Sequence, residues 1–454
     1  MEKRFVDSLW NKWPFKGYAD TYKILENGTK PLTEESPLIR ATVEAFSPEN
    51  YLFTNPVAIE KAIDTNGMSV FKGVTNLLDD INRGLTHTPP EGVENFPVGK
   101  VVATTPGKVV FKNKLIELIQ YSPTTEFVYK EPILIVPACI MKYYILDLEE
   151  RTSMVKWLVN EGHTVFIISW HNPTKKDRNL TMADYRLGVM AAIDKVYNIT
   201  GEKIHALGYC FGGIILNITA ASMAKDGDDR LASLTLLATL VDFKDAGELT
   251  KLVDKNSLGL LKFLVKLQGY LDGPQMGMSF TLIRPHEVWG KCIREYLLGE
   301  RDKMNSMMAW NSDVTRMSAT MYLEYIEKLF LNNDLSEDRY VDELRPIKLR
   351  DINIPLFVVG AKTDYVAPYE SVFKIINLVD SDVTFCLASG GHNVGIVNSP
   401  ATGKGSHIID NNEIKGSWWV TWNKWLCDKM SETRPSLQPE EGLYDAPGQY
   451  IFEK

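Results

Sequence analysis

The hydrophobic pattern of this 454-residue chain changes twice along its length. Between about 41 and 95, apolar residues recur at helical spacing, with an interruption at Asn66 and Gly67 and an end at Gly84. After about 96, apolar runs of strand length alternate with helical segments. These runs read PILIVPA, TVFIISW, KIHALGY, LASLTLLATLV, IPLFVVGAKTD and VTFCLAS. Such alternation predicts βαβ units and a mostly parallel sheet.

The alternation stops between about 246 and 345, where three amphipathic helices are predicted with no strand between them. Near the N-terminus, GTKPLTEESP is predicted to be a loop. We therefore divide the chain into four segments. They are a helical N-terminal region over 1–95, a first core part over 96–245, a helical cap or lid over 246–345, and a second core part over 346–454 that includes the C-terminal segment.

One short stretch, ALGYCFGGIILN, joins a predicted strand to a predicted helix through Gly-x-Cys-x-Gly. This is the strand–turn–helix context of a nucleophile elbow, with Cys210 in place of the usual serine. Gly208 and Gly212 suit a strained turn in which backbones approach closely. With the sheet and the insertion, the elbow predicts an α/β-hydrolase fold with a mostly parallel central sheet, a helical lid and a mainly helical N-terminal region.

The predicted helix behind the thiol influences its chemistry. N–H groups at a helix N-terminus lower the pKa of a nearby thiol and favour the nucleophilic thiolate. The Phe211 N–H is predicted to be one donor of an oxyanion hole. The second is predicted in the loop after ILIVPA, at the backbone of Ile140 or Cys139.

A thiol nucleophile needs a base, and the base needs an acid that orients it. In this fold the chain order is nucleophile, acid, histidine. Three histidines follow Cys210: His286 in the helical insertion, His392 in the loop after VTFCLAS, and His407 in a polar segment. The loop position favours His392 as the base.

Two aspartates are candidates for the acid. Asp242 follows the strand LTLLATLV, Asp364 follows PLFVVGAKT, and both strand ends can face a site at the carboxyl edge of the sheet. Asp364 is favoured because its strand comes immediately before the one that leads to His392. For Asp242, a loop or helix-capping role is the alternative.

Composition and charge narrow the function classes. The net charge of −8 argues against a sequence-independent nucleic-acid binder. No apolar run approaches the roughly 18 residues of a membrane span, and the first ten residues lack the apolar stretch of a signal peptide. Five widely spaced cysteines in no metal-ligand pattern predict neither a disulfide framework nor a metal site, and we expect a cytoplasmic protein.

Several motifs together resemble those of class I polyhydroxyalkanoate synthases. They are GYCFGG, PACIMKYYILDL, GHTVFIISWHNP, AWNSDVT, KTDYVAP and SGGHNVGIVNSP, with further similar stretches toward both ends of the chain. The resemblance covers nearly the whole chain and implies Cys210 as nucleophile, His392 as general base and Asp364 as acid. Two departures are a short stretch between about 25 and 40, and Tyr365, which stands where the family commonly has a histidine.

The resemblance also implies a reaction and its partners. Such an enzyme polymerises (R)-3-hydroxyacyl-CoA, with 3-hydroxybutyryl-CoA as the expected substrate, into a polyester and releases coenzyme A, without a cofactor. The expected partners are the growing polyester, a second copy in a homodimer and granule-associated proteins, at the surface of cytoplasmic polyester granules. The alternatives are a cysteine-dependent thioesterase or dienelactone-hydrolase-like enzyme of the same fold, and a non-catalytic granule-coating protein. The complete set of three side chains argues against the last.

Overall fold

A computed structural model describes residues 16–247, 258–277, 284–439 and 442–454 of the chain. The chain divides into two compact units. One spans the N-terminal part up to Glu94 together with Pro274–Asn305, and the other spans Asn95–Gly273 together with Ser306–Lys454. The contacts thus group 274–305, which the sequence assigned to the cap, with the N-terminal helices. The predicted division into four functional segments stays a prediction.

The second unit is built on an eleven-stranded mixed sheet. Its strands are β1 (Gly107–Lys112), β2 (Ile116–Tyr121), β3 (Ile133–Val136), β4 (Val165–Trp170), β5 (Ile204–Tyr209), β6 (Leu231–Leu237), β7 (Leu356–Ala361), β8 (Val383–Ala388), β9 (Ser406–Ile409), β10 (Asn412–Lys415) and β11 (Tyr444–Asp445). Across the sheet they follow the order β10-β9-β8-β7-β6-β5-β3-β4-β2-β1-β11.

The strands from β3 to β8 run parallel to one another, whereas β2 is antiparallel to both β1 and β4, and β9 is antiparallel to β8. This order, in which β3 and β4 exchange places, is that of an α/β-hydrolase sheet, and it confirms the predicted fold. Strands β2, β3, β4, β5 and β7 are buried along their whole length. A strand covered on both faces favours apolar residues at successive positions, which explains the continuous apolar runs.

Along the chain, the α-helices lie before the first strand and between later strands. They are α1 (Lys16–Glu35), α2 (Pro37–Ala45), α3 (Pro56–Asp64), α4 (Met68–Thr86), α5 (Met154–Asn160), α6 (Met182–Thr200), α7 (Phe211–Asp226), α8 (Leu258–Gln268), α9 (Pro285–Cys292), α10 (Ser306–Asn311), α11 (Ala319–Glu324), α12 (Tyr369–Phe373) and α13 (Trp418–Cys427). A further helical turn covers 273–277, and π-helical segments cover Ile293–Leu297 and Tyr325–Leu331. None of the helices within the described ranges is both long and apolar enough to cross a membrane.

In the first unit, α4 packs closely against the segment that follows α9. A Cβ on Gly73 would lie 2.0 Å from the Tyr296 carbonyl oxygen, so only glycine fits at this crossing. The Asn76 side chain donates to the Glu295 carbonyl at 2.9 Å. As predicted, Gly67 interrupts the helical pattern, since it takes a φ of 82° before α4.

Three local predictions were wrong. Helix α1 runs through most of the predicted loop GTKPLTEESP, and the break comes only at Ser36, whose hydroxyl accepts from the Ile39 N–H and caps α2. Helix α4 continues past Gly84 to Thr86, because a single glycine lowers helix stability without ending the helix. Within the predicted all-helical insertion, Tyr270–Leu271 pairs with Met317–Ser318, and a two-residue pairing leaves no hydrophobic pattern to detect.

The remaining short pairings lie outside the main sheet. Phe127–Tyr129 pairs with Thr433–Pro435, and Val341–Asp342 pairs with Arg345–Pro346.

Candidate active site

Cys210 occupies the turn between β5 and α7. Its backbone has φ 52° and ψ −120°, a conformation that non-glycine residues rarely adopt and that stores strain at functional turns. The Cys210 N–H donates to the Leu237 carbonyl of β6 at 2.8 Å, which anchors the turn to the sheet. The thiol therefore stands at the N-terminus of a buried helix, in the geometry of a nucleophile elbow.

The glycines around Cys210 are required by close backbone approach. A Cβ on Gly208 would lie 2.4 Å from the Gly213 Cα, and one on Gly212 would lie 2.2 Å from the Val136 carbonyl oxygen. Gly213 is equally confined, because a Cβ there would meet the Thr239 hydroxyl at 2.0 Å. The Gly-x-Cys-x-Gly-Gly pattern thus reflects steric limits in the turn itself.

His392 and Asp364 lie together at the carboxyl ends of β8 and β7. The His392 Nδ1 is 2.7 Å from the Asp364 Oδ2, and the Asp364 side chain is fully buried. The other carboxylate oxygen accepts from the N–H groups of Val366 and Ala367 at 2.8 and 2.9 Å. With both oxygens occupied, the carboxylate can orient the imidazole and hold a proton on Nδ1.

The protonation of His392 is linked to Cys210. Burial lowers the pKa of His392, but the charges of Cys210 and Asp364 and hydrogen bonds to both outweigh burial and raise the pKa to about 10. His392 therefore favours the imidazolium form at neutral pH when a thiolate is beside it. The structure brings Cys210, His392 and Asp364 into one site.

The segments predicted to supply oxyanion donors also meet here. Phe211 is the first residue of α7, so its N–H has no partner within the helix. The chain leaving β3 passes against the start of α7, as the contact of Gly212 with Val136 shows. The loop that carries Ile140 follows this contact, and the Ile140 carbonyl accepts from the Thr315 N–H at 3.0 Å. That these two N–H groups bind an oxyanion stays a prediction.

The C-terminal segment holds the same loop from its other end. The buried Lys142 ammonium donates to the carbonyls of Tyr450 and Glu453 at 3.1 and 2.9 Å. Burial lowers the pKa of Lys142 to about 8. The Trp310 indole N–H donates to the Lys142 carbonyl at 2.7 Å. Sequence reasoning did not single out these contacts, because each joins residues far apart in the chain.

The alternative site residues lie elsewhere. Asp242 accepts from the Asn333 amide at 3.2 Å and from the Lys244 N–H at 2.9 Å, which is the loop role considered for it. His407 lies within β9, although no strand was predicted there, and its ring contacts the Thr421 hydroxyl at 2.8 Å. His286 is exposed on α9 in the first unit.

None of the other four cysteines lies in the strained turn between β5 and α7. All five are free thiols. Cys139 and Cys386 are buried, and burial raises the pKa of both, to about 12 for Cys386. Cys292 and Cys427 are half-buried. In the described ranges, no group of three or more histidine, cysteine, aspartate or glutamate side chains could hold a metal ion.

Aromatic side chains that the sequence analysis did not single out surround the elbow. Tyr325, at the start of a π-helical segment, packs on Phe211 with 4.6 Å between ring centroids. Phe243 and Phe330 contact Tyr325 at 5.9 and 5.1 Å. The helical segment that contains Tyr325 belongs to the predicted insertion of 246–345, so part of that insertion forms an apolar wall beside the nucleophile turn.

Comparison with known proteins places the chain in a family. Residues 1–158 match the family model described as the N-terminus of poly-beta-hydroxybutyrate polymerase (PhaC). A poly(3-hydroxyalkanoate) polymerase subunit from Rhizobium etli is 33% identical over 100% of this chain and 77% of its own length. The polymerase of Methylorubrum extorquens is 34% identical over 100% of this chain and 81% of its own length. The polymerase subunit of Cupriavidus necator is 32% identical over 100% of this chain and 83% of its own length.

Solved structures add only a slight likeness. A monoacylglycerol lipase from Paleococcus ferrophilus has 13% identity to this chain and a TM-score of 0.38, over 61% of this chain and 90% of that chain. The polymerases, by contrast, are about one-third identical to this chain over its whole length. The chain belongs to the poly(3-hydroxyalkanoate) polymerase family.

Proposed function

We propose that this chain polymerises 3-hydroxyacyl groups from coenzyme A thioesters into a polyester, with Cys210 as nucleophile, His392 as general base and Asp364 as orienting acid. The observation that carries the proposal is the meeting of a strained thiol turn with a histidine whose Nδ1 is bonded to a buried carboxylate. The polymerases that match the whole chain support the reaction class.

The first step transfers the acyl group to sulfur. The Cys210 proton passes to His392, the thiolate attacks the thioester carbonyl, and the bond to the coenzyme A sulfur breaks. The leaving thiolate takes the proton from His392, so the step exchanges one thioester for another at nearly equal energy. Backbone donors at Phe211 and Ile140 would stabilise the oxyanion, at about 2.7–4 kcal/mol for one such donor.

The second step joins two units. His392 removes the proton of the 3-hydroxyl of a hydroxyacyl unit, the alkoxide attacks the Cys210-bound acyl carbonyl, and an oxoester forms. The Cys210 thiolate leaves and can recover a proton from His392. Once Cys210 carries an acyl group it has no negative charge, so one of the causes of the high pKa of His392 disappears. His392 thereby becomes able to accept a proton at the stage that needs a base.

Water would turn the same site into a hydrolase. The aromatic wall formed by Phe211, Tyr325, Phe243 and Phe330 lies beside the nucleophile turn. We propose that this wall limits the access of water to the Cys210 thioester and offers an apolar surface to the acyl chain.

The absence of a cofactor, the partners, the cellular location and the chain-length preference stay predictions. The proposed reaction uses no cofactor, since coenzyme A leaves as a product. A homodimer, granule-associated partner proteins and a location at the surface of cytoplasmic polyester granules follow from the family resemblance. The preference for short units such as 3-hydroxybutyryl-CoA has the same basis.

The reaction is tested by following all products of (R)-3-hydroxybutyryl-CoA with the full chain. Released coenzyme A is measured as free thiol. Insoluble polymer is collected and quantified as monomer after depolymerisation, and soluble acid is quantified separately. We expect polymer to account for the released coenzyme A, and the Cys210→Ala variant to release none. Coenzyme A release with only monomeric acid would show a thioesterase instead.

A further inference from the structure

We infer that Tyr209 and Asn393 form a positioning pair that holds the His392 loop against the nucleophile turn. The inference rests on the proposed function, since it assigns these residues to the placement of the proposed base. Tyr209 immediately precedes Cys210, and Asn393 immediately follows His392. The Tyr209 hydroxyl donates to the Asn393 Oδ1 at 2.6 Å, so one hydrogen bond links the two halves of the site.

The tyrosine side of the link is rigid. Tyr209 ends β5, where it pairs with Leu237 of β6, and only 2% of its surface is exposed. Its ring also contacts the imidazole of His392, with centroids 5.7 Å apart and planes inclined by 32°. Burial raises the pKa of Tyr209 far above its usual value, so the phenol stays neutral and keeps its proton to donate.

The histidine side is a short loop that is anchored on both sides of His392. Before His392, the Gly390 carbonyl accepts from the Thr363 N–H at 2.9 Å. The Asn393 carbonyl accepts from the Val397 N–H at 2.8 Å, and the indoles of Trp418 and Trp419 each donate to the loop at 2.9 Å, at Gly395 and Ile396. These bonds fix the outgoing end of the loop. On the side facing the nucleophile turn, Asn393 is held by the hydrogen bond to Tyr209.

The need for such a link follows from the two-step reaction. Asp364 holds the His392 ring at one atom, Nδ1, and a single hydrogen bond does not by itself fix the tilt of the ring. While Cys210 is a thiolate, its attraction to the imidazolium also holds the ring. That attraction is lost when Cys210 is acylated, at the stage when His392 must accept the hydroxyl proton. The Tyr209 ring and the bond to Asn393 do not depend on the state of the sulfur.

The test uses Tyr209→Phe, which keeps the ring and removes the hydroxyl, Asn393→Leu, which removes the acceptor, and the double variant. Because small displacements of a catalytic base are costly, we expect each single variant to lower kcat roughly 10-fold with KM unchanged. The double variant should match the singles, since either change breaks the same bond. The matched control is Tyr51→Phe, which removes a hydroxyl bond of equal length, 2.6 Å, in the first unit. It should keep the activity of the unchanged chain.

A second readout separates this inference from the proposed function. Alkylation of Cys210 by iodoacetamide, quantified on its peptide by mass spectrometry, needs no polymerisation and reports the pairing of the thiol with His392. Slower alkylation in Tyr209→Phe and Asn393→Leu supports the positioning pair, even if the unchanged chain makes no polymer. Additive losses in the double variant, or unaltered alkylation together with normal kcat, would overturn it. So would losses of kcat that only track a lower melting temperature.

Discussion

The steric limit at Gly212 permits a prediction with a magnitude taken from the structure. A Cβ at this position would lie 2.2 Å from the Val136 carbonyl oxygen and 2.4 Å from that of Pro137. Ordinary contact begins at 3.4 Å, so Gly212→Ala forces α7 and the chain after β3 apart by about 1 Å. Both obstacles are backbone atoms, so no side-chain rotation can relieve the clash.

This displacement separates the two segments proposed to bind the oxyanion. A shift of about 1 Å in a catalytic group costs on the order of 100-fold in rate, and overpacking a core costs about 1–3 kcal/mol of stability. We therefore expect Gly212→Ala to fold with a lower free energy of unfolding and to lose roughly 100-fold in kcat. Coenzyme A release measures the rate, and urea unfolding measures the stability.

The matched control is Gly259→Ala in α8, where a Cβ would meet nothing within 4 Å. That variant should keep its activity and its free energy of unfolding, because the added methyl group meets no other atom. A folded Gly212→Ala chain with nearly unchanged kcat would refute the steric reasoning. Equal losses in both variants would also refute it, because they would show that alanine harms the chain wherever it replaces glycine.

Three further predictions follow from the site and the core. Cys210→Ala should abolish coenzyme A release, and Cys210→Ser should be severely impaired because a hydroxyl is far less ionised near neutral pH; comparable turnover by the serine variant would exclude thiolate attack. Asp364→Asn should lower kcat by roughly 10³–10⁴-fold, as the loss of the orienting acid does in other triads, whereas a purely structural role would change only the free energy of unfolding. Burial lowers the pKa of His163 and of His205 from 6.5 to about 4. As the pH falls, these two histidines therefore bind protons in the unfolded chain at a higher pH than in the folded chain. About 3 kcal/mol per histidine should therefore be lost between pH 6.5 and 4. Urea unfolding at several pH values should show a smaller loss in His205→Asn, and an equal loss would contradict this account.

The sheet was predictable where burial leaves a strong local pattern. Strands such as Ile133–Val136 and Leu356–Ala361 are covered on both faces, so nearly every residue in them is apolar. The pairing of Tyr270–Leu271 with Met317–Ser318 leaves no such pattern, because two residues cannot show a period. The position of Pro274–Asn305 in the first unit was equally hidden, since contact partners distant in the chain leave no mark on helical periodicity.

The residues of the candidate site differ in how far neighbouring residues in the chain identify them. Cys210 was identifiable because the glycines that its turn requires are its neighbours in the chain. His392 and Asp364 could be ranked by chain order and strand ends, but Asp242 met the same local criterion. Only the fold showed that Asp242 contacts Asn333 while Asp364 contacts His392.

By itself, the sequence determined the order of the main buried strands and helices and the strained thiol turn, because burial periodicity and backbone crowding act on residues close in the chain. The tertiary structure decided which aspartate meets His392, which aromatic rings border the turn, and that Tyr209 is bonded to Asn393. The physical reason is the range of the interactions. A hydrogen bond of 2.6 Å between residues 184 positions apart depends on how the strands are brought together, and no local pattern encodes it.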